Sequence, residues 1–160
     1  MHFEHIITPE RIACDADIGS KKRVLDLLSE LLSKGLDRTP TEIFNCLVER
    51  ERLGSTGLGQ GVALPHGRMG NATGIIGAFV KLKSGIDFDS PDGEATDLLF
   101  ALLVPQDHDN EHLQVLAALA QLFSNKEFCA KVRAAQSSEE ILDIFRDYQT
   151  LIASAHQYEA

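Results

Sequence analysis

From residue 20 onward, apolar and polar positions alternate first with the period of a helix and then with that of a strand. In SKKRVLDLLSELLS (20–33), Val24, Leu27, Leu28, Leu31 and Leu32 share one helical face. Ser20 has the position of an N-cap, and Gly35 suits the C-terminal stop. A second helix opens at Thr39-Pro40-Thr41-Glu42, where Thr39 and Glu42 have capping-box spacing and Pro40 falls where proline is tolerated. It runs through Ile43, Phe44, Leu47 and Val48 and ends near Gly54. The period then changes. Val62-Ala63-Leu64, GIIGAFVK (74–81) and LLFALLV (98–104) are short apolar or β-branched runs bounded by turn formers, which predicts strands. SGIDFDSPDGE (84–94) predicts a brief strand and then a turn carrying Pro91, Asp92 and Gly93. Helical spacing returns at Asn110 or Glu111, with Leu113, Leu116, Leu119, Ala120 and Phe123 on the core side. Two further helices are expected at 126–135 and 139–155, with Ser137 and Glu140 as a capping box for the last. Helices on both sides of a set of short strands predict a single α/β layered domain over 1–160.

Composition narrows the function classes. The longest apolar run suits a buried strand and is far too short to cross a bilayer. The beginning MHFEHIITPE lacks the basic-then-apolar pattern of a signal peptide, so a cytoplasmic protein is expected. Cys14, Cys46 and Cys129 are scattered and odd in number, which predicts free thiols in a reducing compartment. A net charge of −9 argues against nucleic acid, whose phosphates need a basic surface. The same charge fits electrostatic steering toward a basic or neutral protein partner, and plain solubility equally well.

Candidate chemistry centres on GVALPHGR (61–68). An apolar β run ends in proline, placing His66 at a strand mouth where the chain turns. Gly67 lets the backbone approach a ligand, and Arg68, in the exposed turn, reads as an anion contact or a surface charge. An imidazole titrating at about 6.5 can take up and hand on a group at neutral pH, but a lone histidine also fits a structurally satisfied ring. The preceding STGLGQG (55–61) is glycine-dense, and successive N–H groups of such a loop suit phosphate oxygens. Thr56, Gly57 and Gly59 are its candidate contacts. It lacks the GK[ST] ending of a Walker loop and precedes a strand, so a nucleotide site is not expected. Arg50, near the end of the second helix, reads either as part of the solvated run Glu49 to Arg52 or as a guanidinium fork for a phosphoryl group. His108 and His112 match HxxEH, but a helix start between them separates their faces, so no metal is expected. His108 is expected to be exposed, and His112 to lie in the first helical turn as an anion donor.

The string ERERLGSTGLGQGVALPHGR (49–68) resembles the signature of phosphotransferase-system enzyme IIA domains of the fructose/mannitol class. Within that class it is most similar to the nitrogen-regulatory branch. The resemblance extends through SKKRVLDLLSEL at Ser20, the strand before Pro105, and EHLQVLAALAQLF from Glu111. It implies a mixed β-sheet flanked by helices, with no metal and no organic cofactor. It further implies that His66 is the phosphoryl acceptor, reacting through Nε2, that Arg50 stabilises the phosphoryl group, that His112 hydrogen-bonds the same oxygens, and that the glycine-rich loop lines the site. The implied donor is a histidine phosphocarrier protein of the HPr or NPr type. The implied output is regulation of target proteins, with potassium transport or sensor-kinase systems among them. A sugar-specific IIA that passes phosphate to a IIB component, and a binding module with a purely structural His66, are the alternatives.

Overall fold

The apolar run 98–104 lies in β6 (Thr96–Pro105), which every other strand except β1 and β2 borders directly. The computed structural model describes residues 2–70, 74–106 and 111–159. The six-stranded mixed sheet has the order β1-β5-β6-β3-β2, with β4 also on β6. The strands are β1 (Ile12–Ala16), β2 (Gly57–Gly59), β3 (Val62–Ala63), β4 (His66–Met69) and β5 (Ile76–Ile86). β5 is antiparallel to β6 and parallel to β1, whereas β3 and β4 both run parallel to β6.

Strand alternation in β6 explains its continuous hydrophobicity. Leu98, Phe100, Leu102 and Val104 face one core and Leu99, Ala101 and Leu103 the other, so neither set meets water. The first core holds α3 (Glu111–Phe123), α4 (Lys126–Ala134) and α5 (Ser138–Glu159). Its centre is a phenylalanine cluster: the Phe145 ring lies 5.1 Å from both Phe3 and Phe79, and Phe123 lies 5.2 Å from Phe128. The second core holds α1 (Lys21–Ser33) and α2 (Pro40–Arg52), with Val24, Leu25, Leu28, Ile43 and Leu47 against the sheet.

Helix caps fall where their residue types direct. Ser20 Oγ accepts from Arg23 N at 3.2 Å, and Thr39 Oγ1 from Glu42 N at 3.2 Å. Ser137 Oγ accepts from Glu140 N at 3.1 Å, while the Glu140 carboxylate reaches back to Gln136 N at 3.0 Å. Three expectations change. β1 escaped the hydrophobic pattern because Cys14 and Asp15 interrupt it, and Asp15 has a left-handed φ of 56° where the β1–β5 register shifts. The brief strand expected after Ser84 is the far end of β5, which continues through a register shift between Lys81 and Ile86. The glycine-dense stretch 57–59 is a strand, β2, antiparallel to β3.

Candidate active site

Strand register sets which side of the sheet each candidate occupies. β3 and β4 are successive segments along one edge of β6, broken at Leu64-Pro65, where Pro65 lacks an N–H but its carbonyl accepts from Leu102 N at 2.9 Å. His66 pairs with Leu102 and Arg68 with Val104, so both side chains emerge on the α3 face. Gly67 pairs with Leu103 and faces α2. The chain therefore does not turn after His66. Arg68 is exposed as expected but belongs to β4, so the expectation of a turn there is corrected: the residues HGRM take a ladder position beside β6.

His66 is half-buried, and its Nδ1 donates to the Leu64 carbonyl at 2.8 Å. That bond places the proton of the neutral ring on Nδ1 and the lone pair on Nε2. Burial pushes the His66 pKa below its ordinary 6.5, while the Leu64 carbonyl opposes the shift. The charge of Arg50 pushes it further down, as a proton on His112 would, and Glu51 acts in the opposite sense. Burial and the neighbouring Arg50 thus favour the neutral imidazole.

His112 sits in the first turn of α3, as its position after a helix start predicts, and is 5% exposed. Its Nε2 accepts from Arg68 Nη2 at 3.1 Å, since a guanidinium has only donors. The structure thus joins Arg68 to His112 across the β4–α3 gap. Arg50 occupies the last turn of α2 and donates to the Gly54 carbonyl at 2.9 Å, which ties its guanidinium to the chain just after the helix. Four cationic or basic groups from α2, β4 and α3 therefore surround one strand edge. His108 lies outside the described residues. Among the described residues no group of three metal-binding side chains forms.

The glycine-rich segment does not present the expected open cradle. Gly57 N donates to Ser55 Oγ at 3.0 Å, and Gln60 N donates to Asp92 Oδ2 at 2.8 Å. A Cβ on Gly57 would stand 2.4 Å from Ser90 Oγ, and one on Gly59 2.8 Å from Asp92 Oδ2. These glycines admit the close approach of the 89–93 loop. Gly59 pairs with Val62, roughly 13 Å along the edge from His66 at the usual strand rise. Gly67 likewise makes room for protein: a Cβ there would lie 2.4 Å from Cys46 Sγ on α2.

Thr56 also has a different contact from the one expected. It is 6% exposed, and its hydroxyl donates to Glu51 Oε2 at 2.6 Å, while its N–H donates to Glu51 Oε1 at 3.0 Å. Its donor is therefore spent within the protein. Glu51, read as part of a solvated run, is buried. The periodicity of α2 contained that signal, because Glu51 continues the Ile43, Leu47 stripe at four-residue spacing.

Residues 5–148 match the family described as phosphoenolpyruvate-dependent sugar phosphotransferase system, EIIA 2. A protein named nitrogen regulatory protein from Escherichia coli (strain K12) is 43% identical over 141 residues, covering 88% of this chain and 84% of its own. One of the same name from Pseudomonas aeruginosa is 39% identical over 150 residues, covering 93% and 97%. The crystal structure of nitrogen regulatory protein IIA-Ntr from Neisseria meningitidis is 41% identical and superposes with a TM-score of 0.85, covering 89% of this chain and 97% of that one.

Proposed function

The chain belongs to the EIIA 2 family of the phosphoenolpyruvate-dependent sugar phosphotransferase system, and on that premise we propose that it accepts a phosphoryl group on Nε2 of His66. The observation that carries this reading is the 2.8 Å bond from His66 Nδ1 to the Leu64 carbonyl, which aims the proton inward and the lone pair at Nε2 outward. The donor is a phosphohistidine on a small phosphocarrier protein. As the donor's N–P bond breaks, its electron pair returns to the donor ring, and Nε2 of His66 forms the new N–P bond. His66 gains positive charge in that step, and the Leu64 carbonyl stabilises it through Nδ1–H. No proton need leave the ring.

The transition state spreads negative charge over three equatorial oxygens, so preorganised cations supply most of the assistance. Arg50 offers a fork from the α2 side, and Arg68, steadied by His112, offers one from the α3 side. A phosphohistidine is already an activated donor, so the transfer proceeds without a nucleotide.

The output is regulatory. A phosphate on the half-buried His66 adds about −1.5 to −2 charges at the strand edge, enough to block or redirect docking of a target protein. The similarity to proteins named nitrogen regulatory protein supports this over sugar transport. Incubation with enzyme I, a phosphocarrier and phosphoenolpyruvate is expected to add one acid-labile phosphate, absent in His66→Ala. Labelling of His66→Ala would refute the site, and onward transfer to a purified IIB would replace the regulatory output with a transport one.

A further inference from the structure

Glu51 is a carboxylate buried one residue from Arg50, with a side chain 6% exposed. Burying a charge is costly unless it is paired and hydrogen-bonded, and this carboxylate holds Thr56 twice and Lys21 once. Oε1 accepts from Thr56 N at 3.0 Å and pairs with Lys21 Nζ at 3.0 Å, while Oε2 accepts from Thr56 Oγ1 at 2.6 Å. Lys21 is itself held by Asp89 Oδ2 at 3.0 Å and lies 4.6 Å from the centre of the Phe88 ring. The Thr56 carbonyl then accepts from Leu64 N at 3.1 Å. Leu64 is the residue whose carbonyl receives the His66 proton. An unbroken series of hydrogen bonds thus runs from Lys21 through Glu51, Thr56 and Leu64 to the imidazole.

We propose that Glu51 is a positioning residue for His66: by clamping both donors of Thr56 it fixes the Leu64 carbonyl, and with it the ring's orientation and tautomer. The inference rests on the reading of His66 as the phosphoryl acceptor. A carboxylate suits this task because it supplies two acceptors to the N–H and O–H of a single residue. The Leu64-Pro65 break suits such an external clamp, because β3 ends at Ala63, β4 begins at His66, and Pro65 has no N–H to offer between them.

The test compares wild type, Glu51→Ala, Glu51→Gln, Thr56→Val and Thr56→Ser by ¹⁵N NMR of the His66 ring and by the rate of phosphoryl acceptance from a phosphocarrier. Wild type is expected to show Nδ1–H and bare Nε2. Glu51→Ala and Thr56→Val should populate the Nε2–H tautomer and slow transfer by about 5- to 10-fold, the factor that one hydrogen bond is worth. Thr56→Ser should restore the wild-type tautomer. Glu51→Gln keeps one acceptor for Thr56 N, and its amide can donate to a Thr56 hydroxyl that rotates to accept, so it should also retain that tautomer. If Glu51→Ala does not fold, Thr56→Val decides the matter alone. A wild-type tautomer in Thr56→Val overturns the proposal, and so does a Glu51→Gln shift as large as that of Glu51→Ala, which would make charge the cause. If wild type accepts no phosphate, the functional reading fails, while the tautomer comparison still decides the role of Glu51.

Discussion

Replacing Gly67 with alanine tests how the α2–β4 contact builds the site. The added methyl would lie 2.4 Å from Cys46 Sγ, 3.3 Å from the Cys46 carbonyl oxygen and 3.4 Å from its carbon. Ordinary contact distance is about 3.5–4.0 Å, so the sulfur must retreat by about 1–1.5 Å. It has little freedom to do so, because the thiol donates to the Arg68 carbonyl at 3.2 Å on the same strand. Overpacking of this kind costs about 1–3 kcal/mol. At about 2–4 °C per kcal/mol for a domain of this size, the unfolding midpoint should fall by about 2–12 °C. Arg50 lies one helical turn beyond Cys46, so lifting α2 also displaces the guanidinium. A shift of about 1 Å in a catalytic group costs up to about 10²-fold in rate. The assay is a double-mutant cycle with Cys46→Ala, followed by thermal unfolding and by phosphoryl acceptance. Removing the sulfur leaves only the two backbone contacts, which need a few tenths of an ångström, so the double variant should recover about 1–2 kcal/mol of the loss. Additivity of the two substitutions within about 0.5 kcal/mol would show that the Cys46–Gly67 approach does not control α2.

Arg50→Ala, which removes a preorganised donor, and His112→Ala, which removes the acceptor that steadies the Arg68 guanidinium, should each slow phosphoryl acceptance by on the order of 10²-fold with an unchanged circular dichroism spectrum; wild-type rates in both would remove the electrostatic account. Because the His66 pKa is lowered in the folded state, the unfolded chain binds its proton first as pH falls. Stability should therefore drop between the ordinary 6.5 and the lower folded value, then level off, and His66→Gln should abolish that segment of the profile. An NMR midpoint for His66 at or above 6.5 would contradict the shift. Lys81, 3% exposed, donates to the carbonyls of Arg133 and Ala135 at the end of α4 and pairs with Asp15 at 3.2 Å. Lys81→Met should destabilise by about 2–4 kcal/mol in urea unfolding, because it strands those buried acceptors.

The helices were legible because their amphipathic faces and caps are local: Ser20, Thr39 and Ser137 each bond the backbone three residues on, as their side chains direct. β6 was legible because burial on both faces leaves seven unbroken apolar residues at 98–104. β1 and β2 were not, since neither has an apolar alternation of its own and both exist by pairing with strands distant in sequence or across a glycine turn. His66, Arg50 and His112 were singled out by residue type and resemblance, and the strand register and helix ends place them about one edge of the sheet. The glycines misled, because a missing side chain signals close approach without saying by what. At Gly57, Gly59 and Gly67 the neighbour is the protein itself. Glu51 was hidden by its neighbours' charge, although its spacing from Leu47 marked it as facing inward.

The period-two alternation of β4 makes the chemistry intolerant of a change in chain length. His66 and Arg68 face α3 only because Leu64-Pro65 delivers the strand to β6 in phase with Leu102. One residue added or lost between Ala63 and His66 would turn the imidazole toward Cys46, into a space that admits only glycine, and would aim the intervening residue at His112. Point substitutions here can be graded and partly repaired, whereas an indel reverses the face outright. The number of residues between Ala63 and His66 is therefore as constrained as the identities of His66, Gly67 and Arg68 themselves.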